Sequence, residues 1–314
     1  MTMIEVDGLT KRYGELKAVD NISFAVERGE ILGFLGPNGA GKSTTMKMLS
    51  CFIAPTCGTA RICGKDILAH SLEVRKMIGY LPENAPSYKD MTVKEFLRFV
   101  AEIRGYRKAE ADSRIESVIE TTFLEQAQYQ TINTLSKGYR QRVGFAQTLI
   151  HDPPVLILDE PTDGLDPNQK HEVRTLIKNM SQNKAIILST HILEEMEAVC
   201  SRAIIINSGA IVADGTPEEL LSKSLLFRAV SVTLLEKPTA EILEELKGLT
   251  DVRDIEQEAP PDVSGTYKLR IYPEKGKNPI SEVTRFVSEK KLNIAGIFSE
   301  KGKMDEVFRN LTIG

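Results

Sequence analysis

The apolar positions of this chain fall into two kinds of pattern. Ile31-Leu32-Gly33-Phe34-Leu35 is an unbroken apolar run that ends in a Gly-rich turn. Val155-Leu156-Ile157-Leu158 and Ala185-Ile186-Ile187-Leu188 are similar runs. Each is too short for a buried helix and is flanked by turn or polar residues, which predicts strands buried on both faces of a parallel sheet. Mixed patterns lie between and beyond them, predicting helices over Lys42 to Cys51 and Pro167 to Met180. Strand and helix in alternation predict an α/β sheet.

From Thr92 to Ile150 the pattern changes. Phe96, Leu97, Val100 and Ile103 recur at helical spacing, as do the apolar residues from Ile115 to Ile119. A helical insertion over about 92–150 is expected within a domain covering 1–220. After Gly215-Thr216-Pro217 the pattern changes again. Strands are expected at Leu226–Leu235, Val252–Ile255, Tyr267–Tyr272 and Leu292–Phe298, and helices at Thr239–Lys247, Ile280–Lys290 and Met304–Leu311. That β-α-β-β-α-β order predicts a small α+β, ferredoxin-like domain over 221–314. Glu256 to Gly265, which contains Pro260-Pro261, reads as an exposed loop.

Composition narrows the function. Forty basic and 44 acidic residues leave a formal charge of −4 over 314 residues. This excludes a strongly basic nucleic-acid coat and an acidic disordered tail. No apolar stretch reaches the ~18 residues that cross a bilayer. Met1 to Lys11 carries acidic and polar residues where a signal peptide needs an apolar core, so no export is expected. Cys51, Cys57 and Cys63 have five residues between successive members, which matches no common zinc spacing, and Cys200 stands apart. Inert thiols in a reducing, cytosolic compartment are expected.

Two segments carry chemistry. Gly36-Pro37-Asn38-Gly39-Ala40-Gly41-Lys42-Ser43 fits G-x-x-x-x-G-K-[ST], with a predicted strand before it and a helix after it, and Thr44 beside Ser43 joins it as a nucleotide-binding candidate. Such glycines let backbone N–H groups curl around phosphate oxygens at the positive end of the helix. Lys42 is placed to reach the β- and γ-phosphates, and Ser43 to ligand Mg²⁺. The second segment is the apolar strand that ends in Asp159-Glu160. Asp159 is a candidate Mg²⁺ holder, mostly through water, and Glu160 a candidate to polarise an attacking water. Read alone, the pair fits a strand-end turn with two solvated acids equally well. His70, His151 and His171 read as surface or packing residues.

With these motifs in order, the sequence resembles the ATP-binding subunits of ABC transporters. Leu135-Ser136-Lys137-Gly138-Tyr139-Arg140-Gln141-Arg142 resembles the family signature, with Lys137 and Tyr139 departing from its usual Leu-Ser-Gly-Gly-Gln. Pro161 to Pro167 resembles the D-loop and Ser189-Thr190-His191 the switch segment. Tyr13 matches the aromatic position that stacks on adenine, and Glu83 occupies the place of the Q-loop glutamine. Tyr80-Leu81-Pro82-Glu83 and the ending Met304 to Thr312 resemble the ABC-2 export group of multidrug, sodium-extrusion and gliding-motility-like subunits.

The resemblance implies an ABC ATPase of the phosphate-loop NTPase fold, with an N-terminal β subdomain. It implies ATP and Mg²⁺ as ligands, with Glu83 as a further metal contact. His191 is implied to hydrogen-bond the γ-phosphate and position Glu160. Ser136 and Gly138 are implied to meet the γ-phosphate held by a second subunit, in a head-to-tail two-fold dimer with two identical sites. The load is implied to be a separate transmembrane permease, docked near Glu83 to Met91, with this chain on the cytoplasmic face of the membrane. The competing class is a soluble ABC-type ATPase acting on ribosome or DNA. Such proteins carry two cassettes or a long coiled coil, and the charge lacks a basic patch for nucleic acid, so no nucleic-acid partner is expected. A small-molecule kinase leaves the signature, D-loop and His191 unexplained together. The C-terminal domain is open to dimer stabilisation, regulation of hydrolysis or partner docking.

Overall fold

The computed structural model describes residues 1–85, 87–257 and 265–312, and the chain divides into two compact units, Met1–Pro217 and Glu218–Gly314. The first unit begins with β1 (Thr2–Tyr13), β2 (Leu16–Glu27) and β3 (Ile31–Leu35), followed by α1 (Lys42–Leu49). Next come β4 (Cys57–Ile62), β5 (Lys65–Asp66), α2 (Ser71–Met77) and β6 (Ile78–Leu81). The helical stretch holds α3 (Val93–Ile103), α4 (Lys108–Thr121) and α5 (Lys137–Leu149). The unit continues with β7 (Val155–Asp159), α6 (Pro167–Ser181), β8 (Ala185–Thr190), α7 (Leu193–Val199), β9 (Arg202–Asn207) and β10 (Ala210–Gly215), and α8 (Pro217–Leu221) starts at its last residue and runs into the second unit.

Two sheets share one core. β2-β1-β4-β5 is antiparallel. β10-β9-β3-β8-β7-β6 is parallel apart from its β9–β10 edge. β3, β7 and β8 are buried at every position, as their unbroken apolar runs require. Phe24 of one sheet meets Phe34 of the other edge-to-face, with ring centroids 5.1 Å apart. The register matters most for function. Leu35 pairs with Thr190 and Asp159 with Ser189, so the carboxyl ends of β3, β8 and β7 reach one rim together. Open α/β sheets bind their ligands at that rim.

The helices begin where the sequence provides caps. Thr92 and Glu95 form a reciprocal capping box on α3. Asp166 accepts from the Gln169 N–H, with Pro167 as the first helical residue of α6.

The second unit holds β11 (Phe227–Leu234), α9 (Ala240–Lys247), β12 (Val252–Gln257), β13 (Tyr267–Pro273), α10 (Ile280–Glu289), β14 (Ile294–Lys301) and α11 (Met304–Thr312). Its sheet order is β12-β13-β11-β14, antiparallel throughout, the split arrangement expected of a ferredoxin-like chain. Val230, Val232, Leu269 and Ile271 bury one face beneath Val283, Phe286 and Val287 of α10. The expected loop at 256–265 is shorter at its start. Glu256 pairs with Arg270 and Gln257 with Leu269, so both belong to β12. Residues 258–264, including Pro260-Pro261, lie outside the described residues.

Candidate active site

The rim above β3, β7 and β8 holds a cleft of about 550 Å³. It is lined by Asn38, Gly39, Gly41, Lys42, Ser43, Thr44, Glu83, Glu160, Asp163 and His191. Nine of the residues singled out as ligand or catalytic groups therefore face one space: six of the Gly-rich segment from Asn38 to Thr44, with Glu83, Glu160 and His191.

The Gly-rich loop has its shape for steric reasons. Gly41 caps α1 at φ +111°, a left-handed conformation that a side chain resists. A Cβ there would lie 2.5 Å from the Ala18 carbonyl oxygen. The backbone so turned opens onto the start of a helix, where unpaired N–H groups and the helix dipole attract anions. Lys42 is only 6% exposed. Its ammonium donates to the carbonyls of Gly36 at 2.7 Å and Pro37 at 3.3 Å, and lies 4.0 Å from Glu160. Burial pushes its pKa down, against the opposing pull of the Glu160, Asp159 and Glu83 carboxylates. Gly36, Pro37 and Ala40 build this loop without lining the cleft.

Oxygen ligands converge beside it. The Ser43 hydroxyl donates to Asp159 Oδ1 at 3.1 Å, and Ser189 donates to the same oxygen at 2.5 Å. A hydroxyl against a carboxylate, with Glu83 facing the same cleft, is the hard-oxygen chemistry that suits Mg²⁺ with several waters. The Gly-rich cradle with a buried cation suits phosphate in the same way.

Glu160 sits at φ +50°, a strained position for a residue with a side chain, costing about 1 kcal/mol or more. Its N–H donates to Ser189 Oγ at 3.0 Å, which helps hold the turn. Its carboxylate Oε2 lies 2.9 Å from His191 Nδ1. A carboxylate only accepts, so the ring nitrogen is the donor. Burial raises the Glu160 pKa, and the His191 charge and hydrogen bond and the Lys42 charge act to lower it.

The other candidates lie elsewhere. Tyr13 ends β1 half-exposed, with the Lys11 ammonium 5.2 Å from its ring centre. Ser136 caps α5 by accepting from the Tyr139 N–H. A Cβ on Gly138 would lie 2.4 Å from Gln169. Neither Ser136 nor Gly138 lines the cleft. His151 is a packing residue as expected: its Nε2 lies 3.0 Å from the Ile78 carbonyl, and burial pushes its pKa down to about 4.

Three further participants were not among the candidates. Asp163 lines the cleft and pairs with Lys137 at 3.0 Å. Ser189 joins Asp159 to the Glu160 backbone. Glu195, 4% exposed, accepts from the hydroxyls of Thr162 and Thr190 and sits 3.0 Å from Lys170 and 3.7 Å from Arg174. Asp163 and Ser189 stood inside segments with motif character. Glu195 gave no local signal.

Comparison with known proteins gives the family. Residues 19–163 match the ABC transporter family model. The Nod factor export ATP-binding protein I of Ralstonia nicotianae is 39% identical over 224 residues, covering 71% of this chain and 70% of that protein. The probable multidrug ABC transporter ATP-binding protein YbhF of Escherichia coli is 38% identical over 224 residues, although this chain spans only 39% of its length. Among solved structures, the ATP-binding subunit of an ABC transporter superposes with a TM-score of 0.64 at 32% identity, covering 69% of this chain and 91% of the other. A dimeric post-hydrolysis ATP-binding cassette bound to ADP and phosphate superposes at 0.63 with 25% identity, covering 68% and 99%. The chain belongs to the ABC transporter family, as one of its ATP-binding proteins.

Proposed function

We propose that this chain is the ATP-hydrolysing motor of an exporter, acting as a two-fold dimer on a separate membrane permease. One observation carries the hydrolytic part: Glu160, Lys42 and Ser43 line one cleft, with Asp159 bonded to Ser43 behind it and His191 bonded to Glu160.

Lys42 is the cation for the β- and γ-phosphates, and its buried ammonium needs little rearrangement to exchange carbonyl for phosphate partners. Ser43, Asp159 through water, and Glu83 would hold Mg²⁺, which when bound neutralises charge on the phosphates. Glu160 accepts the proton of the attacking water, and His191 fixes its orientation. Tyr13 stacks on adenine. The signature residues Ser136 and Gly138 stand outside this cleft and serve the nucleotide of the partner subunit, which makes ATP the contact that closes the dimer. Hydrolysis then releases that contact and the halves part. Among the described residues no helix is long and apolar enough to cross a membrane. In this reading the permease is a different polypeptide, with this chain at its cytoplasmic face. Export as the direction rests on the relatives whose names include Nod factor export and multidrug transport.

The test is a pull-down from native membranes with Glu160→Gln and ATP, read by mass spectrometry. A polytopic membrane protein in stoichiometric yield is expected. Ribosomal proteins or nucleic acid without a membrane partner would overturn the transport reading and leave the ATPase chemistry standing.

A further inference from the structure

We propose that the C-terminal unit carries an anion site for a phosphate-bearing ligand, separate from the ATP cleft. The observation is a cleft of about 430 Å³ at one end of the β12-β13-β11-β14 sheet. The start of β11, the start of β12 and the turn after β13 build its walls. Lys223, Arg228, Arg253, Lys275 and Lys277 line it, against the single carboxylate of Glu274. The chain as a whole is acidic, with a formal charge of −4, so this concentration of cations is local.

Their partners sharpen the point. Lys277 pairs with Asp251 at 3.4 Å. Among the described residues, the other four have no carboxylate within ion-pair distance. Arg228 and Arg253 lie over aromatic rings instead, Phe227 at 5.1 Å and Tyr272 at 5.8 Å from guanidinium to centroid. The sheet end brings cations from three separate segments together, so their repulsion is built in by the fold. Structures accept such repulsion where a counter-charge binds.

The volume falls within the range of small-molecule sites. Two guanidinium groups offer the bidentate geometry that phosphate oxygens prefer, and the lysines add point charges. The ligand class is therefore a compact, multiply charged phosphate group. Its source is a soluble phosphorylated metabolite or the headgroup of an anionic phospholipid, and both present the same oxygens to these residues.

The experiment uses the full chain in the Lys42→Ala background, which weakens the phosphate loop as a competing site. It compares this protein with one carrying Arg228→Glu and Arg253→Glu as well. Pyrophosphate binding is followed by equilibrium dialysis, and membrane binding by flotation with phosphatidylcholine vesicles with and without phosphatidylglycerol. Tenfold or greater loss of pyrophosphate affinity on charge reversal, with an unchanged melting temperature, supports a soluble ligand. Loss of flotation confined to phosphatidylglycerol vesicles supports the headgroup. Charge reversal that leaves both bindings unchanged, or their absence from both proteins, overturns the site. An ATPase rate unchanged by Arg228→Glu and Arg253→Glu in the otherwise native chain is expected, because these residues lie in the other unit.

Discussion

His191 Nδ1 stands 2.9 Å from Glu160 Oε2, joining the carboxyl ends of β8 and β7 across the opening of the cleft. The pair sets the protonation of the group proposed to take the water proton. Burial raises the Glu160 pKa, and the histidine counteracts it by its charge and its hydrogen bond.

The first prediction follows from that opposition. Glu160 works only when ionised, so the ATPase rate falls as pH drops through its raised pKa. Removing the histidine removes two lowering influences, so His191→Ala moves the acid limb of the rate profile to higher pH. The rate itself also falls, because Glu160 loses the hydrogen bond that orients its carboxylate. An acid limb near the ordinary glutamate value of about 4.3 in the native enzyme would remove Glu160 from this role. Stability has its own sign. The native carboxyl holds its proton more tightly than the unfolded chain does. Its contribution to stability is therefore greatest below the unfolded pKa and is lost as pH rises through the raised native value.

Glu160→Gln keeps the volume of the side chain and removes its basicity. Hydrolysis is expected to drop by about 10²–10⁴-fold while ATP binding persists. Single-turnover kinetics beside equilibrium nucleotide binding separates the two. Equal loss of binding and turnover would mean that Glu160 mainly holds the nucleotide.

Lys42→Ala tests the loop. Nucleotide affinity is expected to fall at least tenfold, since a charge-assisted bond to phosphate contributes about 1.5–3 kcal/mol. The free protein loses little stability, because burial opposes the Lys42 charge. A melting temperature that falls sharply, with affinity preserved, would make Lys42 a structural cation only.

The sheet was legible because β3, β7 and β8 each carry an unbroken apolar run, which a strand buried on both faces explains. The Gly36–Ser43 segment was legible because chemistry and backbone geometry demand the same residues in the same order. What escaped depends on pairing between distant strands. Ser189 reaches Asp159 only because β7 and β8 pair in that register. Asp163 enters the cleft through the turn after β7, whose path no residue pattern specifies. Glu195 read as one more acid on the polar face of a helix, and only the fold surrounds it with two hydroxyls and two cations.

Gly41→Ala carries the loop argument to one atom. The added methyl must occupy φ +111° and stand 2.5 Å from the Ala18 carbonyl oxygen, so β2 or the loop has to move. Loss of nucleotide binding is expected, with a destabilisation of at least about 1–2 kcal/mol in chemical denaturation. Native affinity and native stability together would show that the loop tolerates a different path.

Glu195→Ala is expected to act on both fold and turnover. The carboxylate ties Thr162, two residues beyond Glu160, to Thr190, the residue before His191. It also neutralises Lys170 and Arg174, each about a quarter exposed. Removing it leaves two hydroxyls without their acceptor and two half-screened cations close together. A cost of about 2–3 kcal/mol is expected, below that of a fully buried pair because solvent screens the cations. Glu195→Gln keeps an acceptor for the hydroxyls and loses only the charge. It is expected to recover most of the turnover while remaining less stable than the native chain. That split separates the two roles: if the glutamine variant is as slow as the alanine variant, charge rather than hydroxyl anchoring positions Glu160 and His191.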